Sequence, residues 1–285
     1  MSHREAILEK VRGIPAMPTA ASKAIALLSD PEVEIRELVD TIEYDQGLTS
    51  NVLRLANSAY FAGPHMIGSL RDAMVRLGMN RVFQLVITSA IAPLTRPEVK
   101  GYDLPAGQLL EHSIAVAIGT EELARKLGRT VPRFAFTAGL LHDLGKIVLS
   151  TFLEVDAGPI VRIAFQNQVS FEQAEARVLG IDHAEAGAAL LENWQLPHDI
   201  VDAARYHHQP EALGSESFLV DLVHTANLLC LEAGIGMGID GLNYRVSEEV
   251  AVRLKLRPSM AEAVVCGMLT GIEELRKVVG VDAGM

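Results

Sequence analysis

Aromatic residues are scarce: Phe, Trp and Tyr make up 5% of the 285 residues, while hydrophobic residues in all reach 49%. The core must therefore be built from Ala, Leu, Val and Ile, which suit close-packed helices better than a β-sandwich rich in rings and β-branched side chains. Positive charge is also short, since Lys and Arg minus Asp and Glu gives 25 − 36 = −11. That balance argues against a nucleic-acid groove or an anionic membrane surface as the main partner, because both reward clustered cations. Two cysteines, Cys230 and Cys266, form neither a disulfide framework nor a cysteine zinc site. The opening MSHREAILEKV carries charges where a secretory peptide needs an apolar run, so a cytoplasmic location is expected. The longest apolar stretch, Leu219 to Ile239, is broken by Asp221, His224, Asn227 and Glu232, as in a buried helix followed by a glycine turn rather than a membrane span. No G-x-G-x-x-G, no G-x-x-x-x-G-K-[ST] and no basic recognition helix is present.

What the chain does have is regular helical punctuation. Ser29-Asp30-Pro31-Glu32 reads as a capping box before the stripe Ile35, Leu38, Val39, Ile42. Ser69 and Asp72 form a second box ahead of Leu70, Ala73, Met74 and Leu77, with Gly78 as the stop. Asn80 is the expected cap of the apolar run ending near Pro93, and Ala135 to Leu149 reads as one helix. Asp182 with Glu185 opens a further helix, Ser259 with Glu262 caps the last, and Gly234 to Gly241 reads as a loop. Asn57 is expected to join helices through a polar network, and Tyr60-Phe61 to form a packed corner. The polar stretch from Thr95 to Pro105, with Pro97, Gly101 and Pro105, is the expected boundary. The fold class is all-α, a two-lobed helical bundle: residues 1–100 as an N-terminal lobe, 101–212 as a second lobe, and 213–285 as C-terminal helices packing on the second.

Five of nine histidines fall in one ordered set: His112, His142-Asp143, His183 and His207-His208. Neutral imidazoles and carboxylates bind Fe, Mn, Zn or similar divalent ions, and helical bundles build such sites from inward-facing side chains. Each candidate also has a structural reading: a hydrogen-bonded core histidine, a helper of the Asp182 cap for His183, or a partner of a helix C-terminal dipole for His207-His208. Lys146, one turn after His142, reads either as an ordinary exposed lysine or as a phosphate ligand.

The stretch LLHDLGK resembles the signature of the HD superfamily of metal-dependent phosphohydrolases. IPAMPTAASKAIALLSDPEVEIRELVDTIEYDQGLTSNVLRLANSAYF followed by SLRDAMVRLGMNRVFQLV resembles the HDOD domain, an HD-related output domain of bacterial signalling proteins, over roughly Ile14 to Pro210. The resemblance makes the second lobe HD-like and implies a metal set of His112, His142, Asp143, His183 and His207 or His208. The last ligand of active HD enzymes is an aspartate in a segment like V-H-x-A-D; here Val223-His224-Thr225-Ala226-Asn227 puts Asn227 in its place. An amide oxygen can coordinate but brings no charge, so affinity or metal number is expected to fall. The Gly-Tyr-Pro segment of the related cyclic-dinucleotide phosphodiesterases is missing. Separately, the apolar FQLVITSAIAPL segment reads as a self-association surface. Two readings follow from the resemblance. In one, the chain is a regulatory module that keeps a divalent metal site and binds a signalling protein or nucleotide. In the other, it is a metal-dependent phosphohydrolase acting on a nucleotide, with Asp143 and Lys146 in catalytic roles.

Overall fold

The computed structural model describes residues 2–17, 19, 21–23, 26, 35–58, 65–154, 157–241 and 243–279. Among these residues it is all-α, with no strand beyond a single antiparallel bridge between Val99 and Leu104. No helix among them is long and apolar enough to cross a membrane. The chain divides into two compact units, residues 15–94 with 270–285, and residues 1–14 with 95–269.

The smaller unit contains α2 (Ile35–Glu43), α3 (Gln46–Ala56), α4 (Leu70–Leu77) and α5 (Met79–Thr95) up to the unit boundary. The Ser29–Glu32 box and the Tyr60-Phe61 corner lie outside the described residues; Val39 and Ile42 of the first stripe are buried. Ser69 caps α4 as expected, its Oγ accepting from the Asp72 amide at 3.0 Å. Asn80 does not cap α5, which begins one residue earlier, directly after the left-handed Gly78. The VFQLVI run is helical, and residues 82–92 are all buried, so the FQLVITSAIAPL segment packs inside the chain instead of offering the self-association surface expected of it. Asn57 is the clasp of this unit. Its Nδ2 donates to Leu53 O at 2.8 Å and Ile67 O at 2.9 Å, and its Oδ1 accepts from Ile67 N at 2.7 Å. Asn57→Ala would orphan the Ile67 amide and carbonyl together, and we expect a loss of about 2 kcal/mol. Urea unfolding that shows no change would mean that water replaces the clasp.

The larger unit is built around α6 (Gln108–Lys126), which is buried on nearly every side because it packs against both α7 (Ala135–Leu141) and α13 (Phe218–Glu232). Beside them lie α8 (Gly145–Leu153), α9 (Gly158–Asn167), α10 (Phe171–Leu179), α11 (His183–Asn193), α12 (His198–Tyr206) and α14 (Glu248–Leu254). α15 (Pro258–Val279) gives its residues up to 269 to this unit and the remainder to the other. α1 (His3–Gly13) packs on α8 and α11 and falls with residues 95–269 rather than 15–94. Residues 213–269 lie with the second lobe, as expected, while 270–285 fall with residues 15–94.

The unit boundary falls at the start of the Thr95–Pro105 stretch, as expected, and the stretch itself packs into the larger unit: Lys100–Tyr102 forms a 3₁₀ turn, Tyr102 is fully buried, and Gly101 N donates to Ser150 Oγ at 3.0 Å. One local expectation is corrected here. Ala135–Leu149 is not one helix. It breaks at residues 142–144 into α7 and α8, where Leu144 N and Lys146 N donate to carbonyls three residues back. His142 and Asp143 are both buried at this tighter turn.

Candidate metal centre

Asp143 is the hub of the larger unit, and its two carboxylate oxygens divide the histidines between them. Oδ2 lies 3.4 Å from His112 Nε2 and 3.4 Å from His142 Nε2. Oδ1 lies 3.5 Å from His183 Nε2 and 3.6 Å from His207 Nε2. His208 Nε2 meets His183 Nε2 at 2.8 Å, and Asn227 Oδ1 stands 3.0 Å from His112 Nε2. All seven residues named from the sequence as metal ligands therefore come together. They arrive from α6, the 142–144 turn, the first residue of α11, the end of α12, and α13. His112, His142, Asp143, His183, His207 and Asn227 are buried, and His208 is half-buried. His208 also forms part of a surface pocket of about 260 Å³ that includes Asp182, Glu185, Arg205, Tyr206 and Gln209.

Backbone chemistry aims the rings. His142 Nδ1–H donates to Gly139 O at 2.8 Å and His207 Nδ1–H to Ala204 O at 2.7 Å, each to the last turn of the preceding helix. Both rings are thereby fixed with a bare Nε2 lone pair facing Asp143, the tautomer a ligand needs. Asp182 Oδ1 caps α11 by accepting from Glu185 N at 2.7 Å, without help from the His183 side chain, while the Glu185 carboxylate pairs with Arg4 and does not close a box. His183 is instead held by Glu175, which accepts from its Nδ1–H at 2.7 Å and from its backbone N–H at 2.9 Å. Tyr102 donates in turn to the other Glu175 oxygen.

Lys146 is buried, contrary to the surface reading. Its Nζ sits 2.6 Å from Asp143 Oδ2 and 2.6 Å from Asp240 Oδ2. Burial opposes its charge, yet the two carboxylates hold the ammonium above its ordinary pKa. Burial likewise opposes ionisation of Asp143, but His142 and Lys146 bring its carboxyl well below the carboxylate range. Burial lowers His112, drops His142 to about 4, and drops His207 and His208 well down. His183 is the exception: burial lowers it, but Glu175 more than compensates and raises it to about 9.

These directions set a pH profile for chelator-treated protein. His183, charged up to about pH 9 against an ordinary 6.5, contributes stability complete below pH 6.5 and lost as pH rises through 9. His142 works the other way, its contribution complete above 6.5 and lost as pH falls toward 4. Unfolding free energy should therefore peak near the ordinary histidine pKa. Glu175→Gln should flatten the alkaline limb and spare the acid one; an alkaline limb left intact in that variant would assign it to another group.

Glu175, Asp240, Tyr102 and Tyr244 escaped the sequence reading. Glu175 had a signal, because it stands on the inward stripe of α10 with Phe171 and Leu179, where a carboxylate is anomalous. Asp240 had none, lying in a glycine-rich loop. Tyr244, from the same loop, stacks on the His208 ring at a centroid distance of 4.7 Å and 12°.

The donor set fits a divalent cation. Asp143, His183, His207 and His208 offer ligand atoms within 4.8 Å of one another, as do His112, His142 and Asp143. Asp143 Oδ1, His142 Nε2 and His207 Nε2 are buried without a hydrogen-bond partner, which folded proteins seldom tolerate unless something fills the gap.

The chain is similar in fold to proteins of known structure. An HDOD domain protein of unknown function from Geobacter sulfurreducens is similar to the chain at 30% identity and TM-score 0.70, over 97% of this chain and 93% of the other. A candidate phosphohydrolase from Shewanella amazonensis SB2B matches at 26% identity and TM-score 0.65, over 92% of this chain and 98% of that one. An uncharacterized protein of Treponema pallidum is 24% identical over 224 residues; the match takes in 78% of this chain and 43% of that relative's length. The HDOD domain family model matches residues 14–210, more than half of the sequence, and the chain belongs to the HDOD family.

Proposed function

We propose that the chain is a bacterial signal-transduction module whose buried His/Asp cluster holds a divalent cation, Fe, Mn or Zn, for structure and regulation rather than for turnover. The observation that carries this reading is the commitment of Lys146 to Asp143 and Asp240, at 2.6 Å each. A lysine that steadies a substrate phosphate must be free to reach it, and this one is spent inside the core. Asn227 supports the same reading, because the position where active relatives carry a charged ligand is neutral. A bound cation would supply Lewis acidity and a lowered pKa for coordinated water. The residues around it are arranged to hold ligands in place: Glu175 orients His183, while Gly139 O and Ala204 O orient His142 and His207.

The partner in this reading is a signalling protein or a nucleotide in the cytoplasm. Nucleic acid and membrane are disfavoured by the net charge of −11, and self-association is a further route of output. Metal-reconstituted protein should hydrolyse cyclic dinucleotides, nucleotides and an activated phosphodiester no faster than its Asp143→Ala variant. Turnover present in the parent and absent from that variant would replace the regulatory reading with the phosphohydrolase one.

A further inference from the structure

We infer that the chain holds one divalent cation, on the Oδ1 side of Asp143 among His183, His207 and His208, and that the Lys146 ammonium takes the place of a second on the Oδ2 side. This rests on the metal reading above and specifies where the cation sits and how many the chain accepts.

The two sides of Asp143 differ in whether a cationic side chain already stands beside the carboxylate. On the Oδ2 side the carboxylate already has a cation, since Lys146 Nζ is 2.6 Å away and is anchored from behind by Asp240 at 2.6 Å. His112 Nδ1 lies 3.0 Å from Ile235 O and its Nε2 lies 3.0 Å from Asn227 Oδ1, so an oxygen acceptor stands at each ring nitrogen. The Asn227 oxygen is neutral, where an aspartate would bring a negative charge. A divalent ion here would have to bond Oδ2 at about 2 Å. It would then lie a few ångströms from a fixed positive charge, with a neutral group where a fourth charged ligand would help.

On the Oδ1 side nothing plays the part of Lys146. Asp143 Oδ1 and His207 Nε2 are buried and unpartnered, as His142 Nε2 is on the other side, so the lack of an ammonium is what sets this side apart. His183 Nε2 and His208 Nε2 face each other at 2.8 Å, an approach that needs one proton between two ring nitrogens and that a cation can replace. The separations of Oδ1 from His183 Nε2, 3.5 Å, and from His207 Nε2, 3.6 Å, fit a tetrahedron, as do the 3.4 Å separations on the Oδ2 side. With bonds of about 2.1 Å its edge is about 3.4 Å. Spacing thus permits a cation on either side, and Lys146 decides between them. His208, the half-buried member, faces the surface pocket and provides a way in.

The device that sets the cation number lies outside the family-matched residues 14–210. Asp240 holds Lys146, Tyr244 stacks on His208, and Ile235 O holds His112, all from the segment following α13. In this chain the C-terminal loop therefore supplies the anchor that keeps an internal ammonium where a second metal would bind.

The test is a zinc titration of the chelator-stripped full chain, with bound zinc counted by elemental analysis after desalting and the zinc retained by Asp143→Ala subtracted. One equivalent is expected. His208→Ala should weaken it by about tenfold or more, His112→Ala should barely move it, and Lys146→Met/Asn227→Asp should take up two. Should the double variant not fold, the two histidine variants decide the question. Two equivalents in the parent, or one that survives His208→Ala and is lost in His112→Ala, would overturn the inference and leave the metal reading standing. A stripped chain with an unchanged helical spectrum that takes up no zinc would remove both.

Discussion

Asp143→Ala should cost about 3 kcal/mol or more of stability and abolish cation binding. The carboxylate is buried and is the shared neighbour of four histidines and the Lys146 ammonium. Its loss leaves Lys146 with Asp240 alone and His183 with Glu175 alone, and a buried charge deprived of a partner typically costs about 3–5 kcal/mol. Asp240 remains as a second partner, which sets the expectation at the lower end. Removing the ammonium as well would orphan the buried Asp240 carboxylate, so much of the loss should be recovered only when that charge goes too, in Asp143→Ala/Lys146→Met/Asp240→Asn. Chemical denaturation of the parent, the single variant and the triple variant measures this directly. A triple variant less stable than Asp143→Ala would contradict the charge argument.

The second large effect is expected away from any charge. A Cβ on Gly145 would stand 1.8 Å from His183 O and 2.5 Å from Gly187 N, so the first turn of α8 lies against the first turns of α11 with no room for a methyl group. Both clashes are with backbone, which cannot rotate away, and the helices would have to separate. Overpacking of this kind typically costs about 1–3 kcal/mol, and more where backbone must move; we expect at least about 3 kcal/mol for Gly145→Ala. The separation also draws His183 from Asp143, so cation affinity should fall with stability. Gly13→Ala is the control, since a Cβ there meets nothing within 4 Å and alanine favours the helix. Equal losses in the two variants would contradict the packing argument.

Much of this architecture was legible in the sequence because it is locally encoded. Ser69 and Asp182 cap the helices they precede, and Asn57 forms the network expected of it. The ligand histidines were legible for a different reason: their order along the chain resembles a known family, although periodicity alone left each one open to a core reading. What escaped depends on partners far apart in sequence. Lys146 reads as a surface residue until Asp240, 94 positions on, is brought beside it. Tyr102 sits in a stretch with linker composition, yet it is buried because Glu175 accepts its hydroxyl proton. The break at 142–144 is invisible to a search for apolar stripes, since Leu140, Leu141, Leu144, Val148 and Leu149 keep a helical spacing straight through it. The membership of α1 in the larger unit is set by contacts such as Arg4 with Glu185 at 2.7 Å, which no local pattern announces.

The most direct test of the buried cluster as a cation site is the metal content of the chain purified without added metal. Near one equivalent of Fe, Mn or Zn per chain is expected, absent from a folded Asp143→Ala variant prepared alongside. A folded parent chain that carries no metal, and takes none up when Fe, Mn and Zn are offered, would contradict it.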